Sequence, residues 1–227
     1  MTRKRMGNQI KTITFSVEMA RATMDDMKNN FFIPANVVDV DPYPVLDNVE
    51  EIIKKHSKFK VGDIVVVREP AKVIESFLNE KDEYRHYINY SYSSDGSKHT
   101  MKTPERFRLL KGGRIHTSKW IEQSQFSPGG CIKEMCRIKL KIKYIYMKKI
   151  QDLNEKEMLN YGIRKVSKDN EVFKYCIYDE KDYSSTPWSV MDKTILPVFK
   201  DHWNSSNKKI FSYENNIYLF IYEFKCI

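Results

Sequence analysis

The chain has 227 residues, 41% of them hydrophobic and 13% aromatic, enough to bury a core and too apolar for global disorder. No run approaches the roughly 18 apolar residues of a membrane span, and no apolar stretch follows the basic opening MTRKRMGNQIK as a secretory signal would, so a cytoplasmic protein without membrane contact is expected. The net charge of +9 is uneven: residues 98–149 carry fourteen Lys/Arg against three Glu, a local excess of +11, leaving −2 for the rest and pointing to a polyanionic partner for that stretch.

Residues 1–11 read as a flexible basic tail. A short strand at 13–15 leads to Ser16, whose hydroxyl suits the N-cap of a helix carrying Val17, Ala20, Met24 and Met27 on one apolar stripe. Three prolines and five acidic residues mark 34–51 as a loop, and Val49, Ile52 and Ile53 allow a short helix at its end. Val61-Gly62-Asp63 turns into a strand at 64–67, whose β-branched run predicts burial on both faces. Beyond Glu69 the pattern weakens until a strand at 84–92. The turn Ser93-Ser94-Asp95-Gly96 follows, with a return strand expected near 106–110.

Residues 137–146 form the clearest strand. Strict alternation sets Ile138, Leu140, Ile142, Tyr144 and Tyr146 on one face and Arg137, Lys139, Lys141 and Lys143 on the other. Asn154 and Glu157 have the spacing of a capping box for a helix that Gly162 can end. A strand at 172–178, a helix at 195–203 with Pro197 in its first turn, and an apolar strand at 217–224 complete the chain. Strands dominate and helices are few, which favours a β-rich α+β fold built as a barrel with peripheral helices over a βαβ fold. The four cysteines and five histidines lack the spacing of a metal site, so free thiols and no metal or cofactor are expected.

Four segments in order, ITFSVEMARATMDDMK (13–28), FKVGDIVVVRE (59–69), CIKEMCRIKLKI (131–142) and IYLFIYEFKCI (217–227), resemble the ASCH domain in its larger, phage-encoded form. That resemblance implies a PUA-like β-barrel spanning 12–227, with an inserted β-hairpin region at about 70–120. It also implies a cleft between the first helix and the barrel, and, for a phage protein, the cytoplasm of a host cell. Small members that hydrolyse acetylated cytidine carry Lys-x-x-Thr-x-Arg after that helix and a Glu elsewhere in the cleft. Alignment sets Lys28 at the Lys, Phe31 at the Thr, Ile33 at the Arg and Tyr161 at the Glu. Lys28 alone is retained as a catalytic candidate, because Phe31 is no nucleophile, Ile33 no oxyanion donor and Tyr161 a poor base. Otherwise Lys28 reads as a solvated lysine at a helix C-terminus. Phe31, Arg68, Glu69 and Tyr161 are the expected cleft-lining residues.

The second constellation is basic. Arg137, Lys139, Lys141 and Lys143 repeat at about 7 Å along a strand, the spacing of successive phosphate contacts. Arg114, Lys119 and Trp120 extend that candidate surface, and Tyr84, Tyr87, Tyr90 and Tyr92 are candidate stacking groups. The ordinary alternative is a solvent-facing strand whose lysines guard an edge. The expected function is RNA or single-stranded nucleic-acid binding without hydrolysis. The alternatives are an amidohydrolase acting on acetylated cytidine and a module directed at a host protein.

Overall fold

The computed structural model describes residues 11–35, 48–79, 81, 85–104, 131–179 and 185–227. In chain order its first half holds β1 (Lys11–Thr14), α1 (Val17–Met24), β2 (Asn30–Pro34), α2 (Val49–His56), β3 (Ile64–Arg68), β4 (Ala71–Asn79), β5 (Arg85–Tyr92) and β6 (Lys98–Lys102). The second half holds β7 (Lys139–Lys149), α3 (Glu155–Gly162), β8 (Ile163–Ser167), β9 (Phe173–Ile177), α4 (Ile195–Ser206) and β10 (Tyr218–Cys226). Among the described residues no helix is long and apolar enough to cross a membrane.

The main sheet has five strands in the order β1-β3-β7-β10-β2, with β1 parallel to β3 and the other pairs antiparallel. Its middle strand is β7, and beside it lies β10, where Leu219, Phe220, Ile221 and Tyr222 are all buried because both faces of the strand are covered. On one face, Val65, Val67, Leu140, Ile142, Phe220, Tyr222 and Phe224 pack with Phe15, Ala20, Phe31 and Phe59. Ile52 and Ile53 of α2 close that layer. The opposite face sets Leu219 and Ile221 against Met158 and Tyr161 of α3 and Val198, Phe199 and Trp203 of α4. Each of these large side chains contributes about 1.5–3 kcal/mol on burial, so the two clusters dominate the stability.

The closed barrel expected from the strand content is not found. Strands β1 and β2 are the two edges, and no pairing joins them among the described residues. β2 ends on Pro34, which has no N–H to offer a further strand. The fold is therefore α+β and sheet-rich, with an open five-stranded sheet.

In place of a hairpin at 70–120, β4, β5 and β6 form a three-stranded antiparallel sheet. The turn at Ser93–Gly96 leads directly into β6, with Lys98 opposite Ser91. The expected return strand at 106–110 lies outside the described residues, as do most of the basic tail, Tyr84, Arg114, Lys119 and Trp120. β8 pairs with β9 as a separate hairpin under α4. Met27, expected on the apolar stripe of α1, is exposed because the helix ends before it.

One irregularity matters for the surface. Opposite β10, Tyr144 faces Glu223 while Ile142 faces Phe224, so Lys143 is the extra residue of a β-bulge. The bulge shifts the alternation by one: Leu140 and Ile142 are followed into the core by Ile145 and Met147. Tyr144, expected in the core with Ile142, is instead turned outward.

Candidate functional site

After α1 the chain reverses at Asp25 and at Asp26, which takes a left-handed φ of 57°. The amides of Met27 and Lys28 both donate to the Ala22 carbonyl, at 2.8 and 3.0 Å. This turn sends the Lys28 side chain inward. It is 1% exposed, so the solvated lysine expected at a helix end is not what the sequence builds. Its Nζ donates to the Tyr161 carbonyl and sits 4.1 Å from the Tyr161 ring centre and 5.6 Å from that of Phe15. No carboxylate pairs with it among the described residues. Burial therefore pushes the amine well below the ordinary lysine range, since an uncompensated ammonium is costly in an apolar site. His202 is lowered by burial first and then by the nearby charge of Lys28, and Tyr161 is raised by burial alone.

Beside this group a cleft of about 360 Å³ is lined by Thr14, Phe15, Met19, Phe32, Tyr161 and Asn207, among others. Phe31 lines it too, but stacks on Tyr222 at 4.8 Å and meets Phe59 edge-on at 5.8 Å, as a core side chain does. The structure thus brings Lys28, Phe31 and Tyr161 together. Arg68 and Glu69 are not among the cleft residues.

Glu69 is fully buried and serves a different junction. Its two oxygens accept from Arg137 at 2.8 and 3.2 Å, and one also accepts from the Ser94 hydroxyl. Arg137 reaches further to Asp95 (2.7 Å) and the Ser97 hydroxyl (3.0 Å), and its guanidinium lies 3.9 Å from the Tyr92 ring centre. Burial opposes charge on Asp95, but the bonds from Arg137 and Ser97 outweigh it and hold the carboxyl at about 2. The Arg137 guanidinium is likewise held more basic, because Glu69 and Asp95 outweigh the effect of its burial. Arg137 is therefore a clamp between the main sheet and the β5–β6 turn, and it is not presented to a phosphate backbone. Arg68 donates from Nε to the Cys131 carbonyl at 2.7 Å.

Lys139, Lys141 and Lys143 are exposed, and none has an ion-pair partner among the described residues. Lys141 lies in register between Ile64 on β3 and Lys225 on β10, and Lys139 lies beside Val66. Two large apolar side chains share this open half of the sheet, Ile64 (53% exposed) and Tyr144 (66% exposed). The layer of α3 and α4 covers the other half. Glu223, opposite Tyr144, accepts from the Tyr146 hydroxyl at 3.4 Å, and Glu157 of α3 accepts from the same hydroxyl at 3.1 Å.

The tyrosines expected to stack on bases are otherwise engaged. Tyr90 and Tyr92 are buried against each other edge-on at 5.4 Å, and the Tyr92 hydroxyl donates to the Met135 carbonyl. Tyr87 stacks on Phe77 at 5.9 Å. Sequence reasoning missed Tyr144, Ile64 and Lys225. A signal for Tyr144 was present: apolar residues fall at 138, 140 and 142 and then at 145 and 147, a change of phase that a bulge produces. Lys225 and Ile64 join the surface only through strand pairing.

Among the described residues no group of three or more His, Cys, Asp or Glu could hold a metal ion. The Cys131 and Cys136 sulfurs lie 3.7 Å apart as free thiols. Comparison with protein-family models, with curated proteins and with solved structures finds no match to this chain.

Proposed function

We propose that this chain binds RNA or single-stranded nucleic acid through the open half of its main sheet, and that the contact is carried by Lys139, Lys141, Lys143 and Lys225. The observation behind this reading is a set of four exposed ammonium groups on adjacent strands β7 and β10, without ion-pair partners among the described residues. Lysines that only keep a surface soluble are usually interspersed with acids, whereas the carboxylates of Glu223 and Glu157 at this face are engaged by Tyr146 and Lys148 and neither is paired with these four lysines among the described residues. Cations spaced at about 7 Å along a strand and about 5 Å across strands match a flexible polyanion better than a point ligand.

The same proposal takes the fold to be related to PUA-like ASCH domains. What supports it is that Lys28 and Tyr161, aligned to two catalytic positions of that family and far apart in sequence, meet at 4.1 Å beside one cleft. The amidohydrolase alternative rests on Lys28 alone. Burial holds its amine below the ordinary lysine range, but among the described residues no hydroxyl nucleophile or guanidinium is bonded to it.

Salt titration tests the binding proposal. With about four phosphates neutralised, the log–log slope of affinity against salt is expected near −3 for a single strand. Replacing Lys139, Lys141 and Lys143 by Ala should reduce that slope toward −1. An unchanged slope in the triple variant rules out this surface.

A further inference from the structure

The lysines account for attraction to a polyanion but not for a preference among polyanions. The feature that bears on preference is the bulge at Lys143. It sets Lys143 and Tyr144 side by side on the outer face, between Ile142 and Ile145, which both point into the core. The Tyr144 ring is thereby 66% exposed in the middle of a strand, and among the described residues it has no aromatic contact. The ring thus stands at mid-strand beside the exposed Lys143, an aromatic face with an ammonium group next to it.

We propose that Tyr144 is the base-stacking residue of this surface, and that it makes the surface selective for unpaired strands over duplex. The inference rests on the nucleic-acid reading given above. One aromatic face flanked by ammonium groups can reach a base only when that base is splayed out, because in a duplex the faces are already covered by stacking. Glu223, directly across from Tyr144, excludes phosphates from its own side of the ring. The backbone is thus directed toward Lys143, Lys141 and Lys225, while the base turns onto Tyr144. Ile64, beside Lys141, offers an apolar surface for a neighbouring base or sugar. The ligand class is a pyrimidine- or purine-bearing single strand with little discrimination among bases, since every base has a stacking face.

The test compares fluorescence anisotropy of the full chain with a labelled 20-nucleotide poly(U) strand and with a labelled duplex of the same length. Three variants are used: Tyr144→Ala, Tyr144→Phe and the Lys139→Ala/Lys141→Ala/Lys143→Ala triple. Tyr144→Ala should weaken single-strand binding by about 5- to 150-fold, the range for loss of one stacked base. Its salt slope should stay as in the parent protein, and duplex binding should be unaffected. Tyr144→Phe should bind like the parent. Equal single-strand affinity of Tyr144→Ala and parent, with the lysine triple still weakened, overturns the stacking assignment and leaves the basic surface standing. No difference between the lysine triple and the parent overturns both readings. A loss shared equally between strand and duplex in Tyr144→Ala overturns the assignment as well, since it would mark a general disturbance of the face. Circular dichroism of each variant confirms that the fold is retained, which exposure of the ring predicts.

Discussion

Arg137→Ala is the most informative single substitution, because it separates a clamp from a phosphate contact. In the native protein the Glu69 carboxylate is fully buried and is neutralised by two guanidinium bonds at 2.8 and 3.2 Å. Among the described residues the substitution leaves that carboxylate with only the Ser94 hydroxyl, and it also removes the bond to Asp95 and the cation–π contact with Tyr92. Breaking a buried ion pair by removing one partner costs about 3–5 kcal/mol. The Arg137 side chain keeps 25% of its exposure, so water can partly repair the loss and the lower end applies. For a chain of this length about 2–4 °C of melting temperature corresponds to 1 kcal/mol, so with about 3 kcal/mol lost a fall of roughly 6–12 °C is expected in thermal unfolding followed by circular dichroism. Replacing the pair together, Arg137→Met with Glu69→Leu, should recover most of that fall, because the desolvation cost of both charges disappears. A single variant melting within about 2 °C of the parent would refute the clamp.

Other outcomes follow from the same geometry. Lys28→Met should flatten the pH dependence of stability. Burial holds the folded amine below its unfolded value of about 10.4, so between the two values the unfolded chain binds more protons and stability rises with pH. Identical stability profiles for parent and variant between about pH 7 and pH 10 in urea titrations would count against a buried, uncompensated amine. Gly162 takes a φ of 118° where α3 passes into β8, and an added Cβ would meet nothing closer than 3.8 Å, so Gly162→Ala should cost more than about 1 kcal/mol through backbone strain alone. Asn154→Ala removes a capping box in which Asn154 and Glu157 each bond the other's backbone at 2.9 Å, and should cost about 1 kcal/mol by chemical denaturation.

Much of the local structure was legible because it depends on neighbours in the chain. Ser16 accepts from the Met19 amide at the start of α1, Asn154 and Glu157 close their box, and Pro197 sits in the first turn of α4. Each of these is a contact over three or four residues, so spacing alone reveals it. The central strand and the closing strand were legible from period-two patterning, and they are paired as β7 and β10. The candidate site was less legible. Arg137 sits in phase with Lys139 and Lys141, yet its partner Glu69 is 68 residues away, and no local rule could have withdrawn it from the surface.

By itself the sequence determined a β-rich α+β chain, the positions of its helix caps and a concentration of positive charge between residues 98 and 149. Only the tertiary structure decided which charges are free. The clamp on Glu69 ties up the Arg137 guanidinium, strand pairing adds Lys225 beside Lys141, and the bulge turns Tyr144 outward. It likewise decided that Lys28 is buried, since the turn after α1 points its amine at a carbonyl of α3. The physical reason is range. Caps and alternation are set by bonds between near neighbours, whereas the exposure of a charge depends on which distant strand is laid against it.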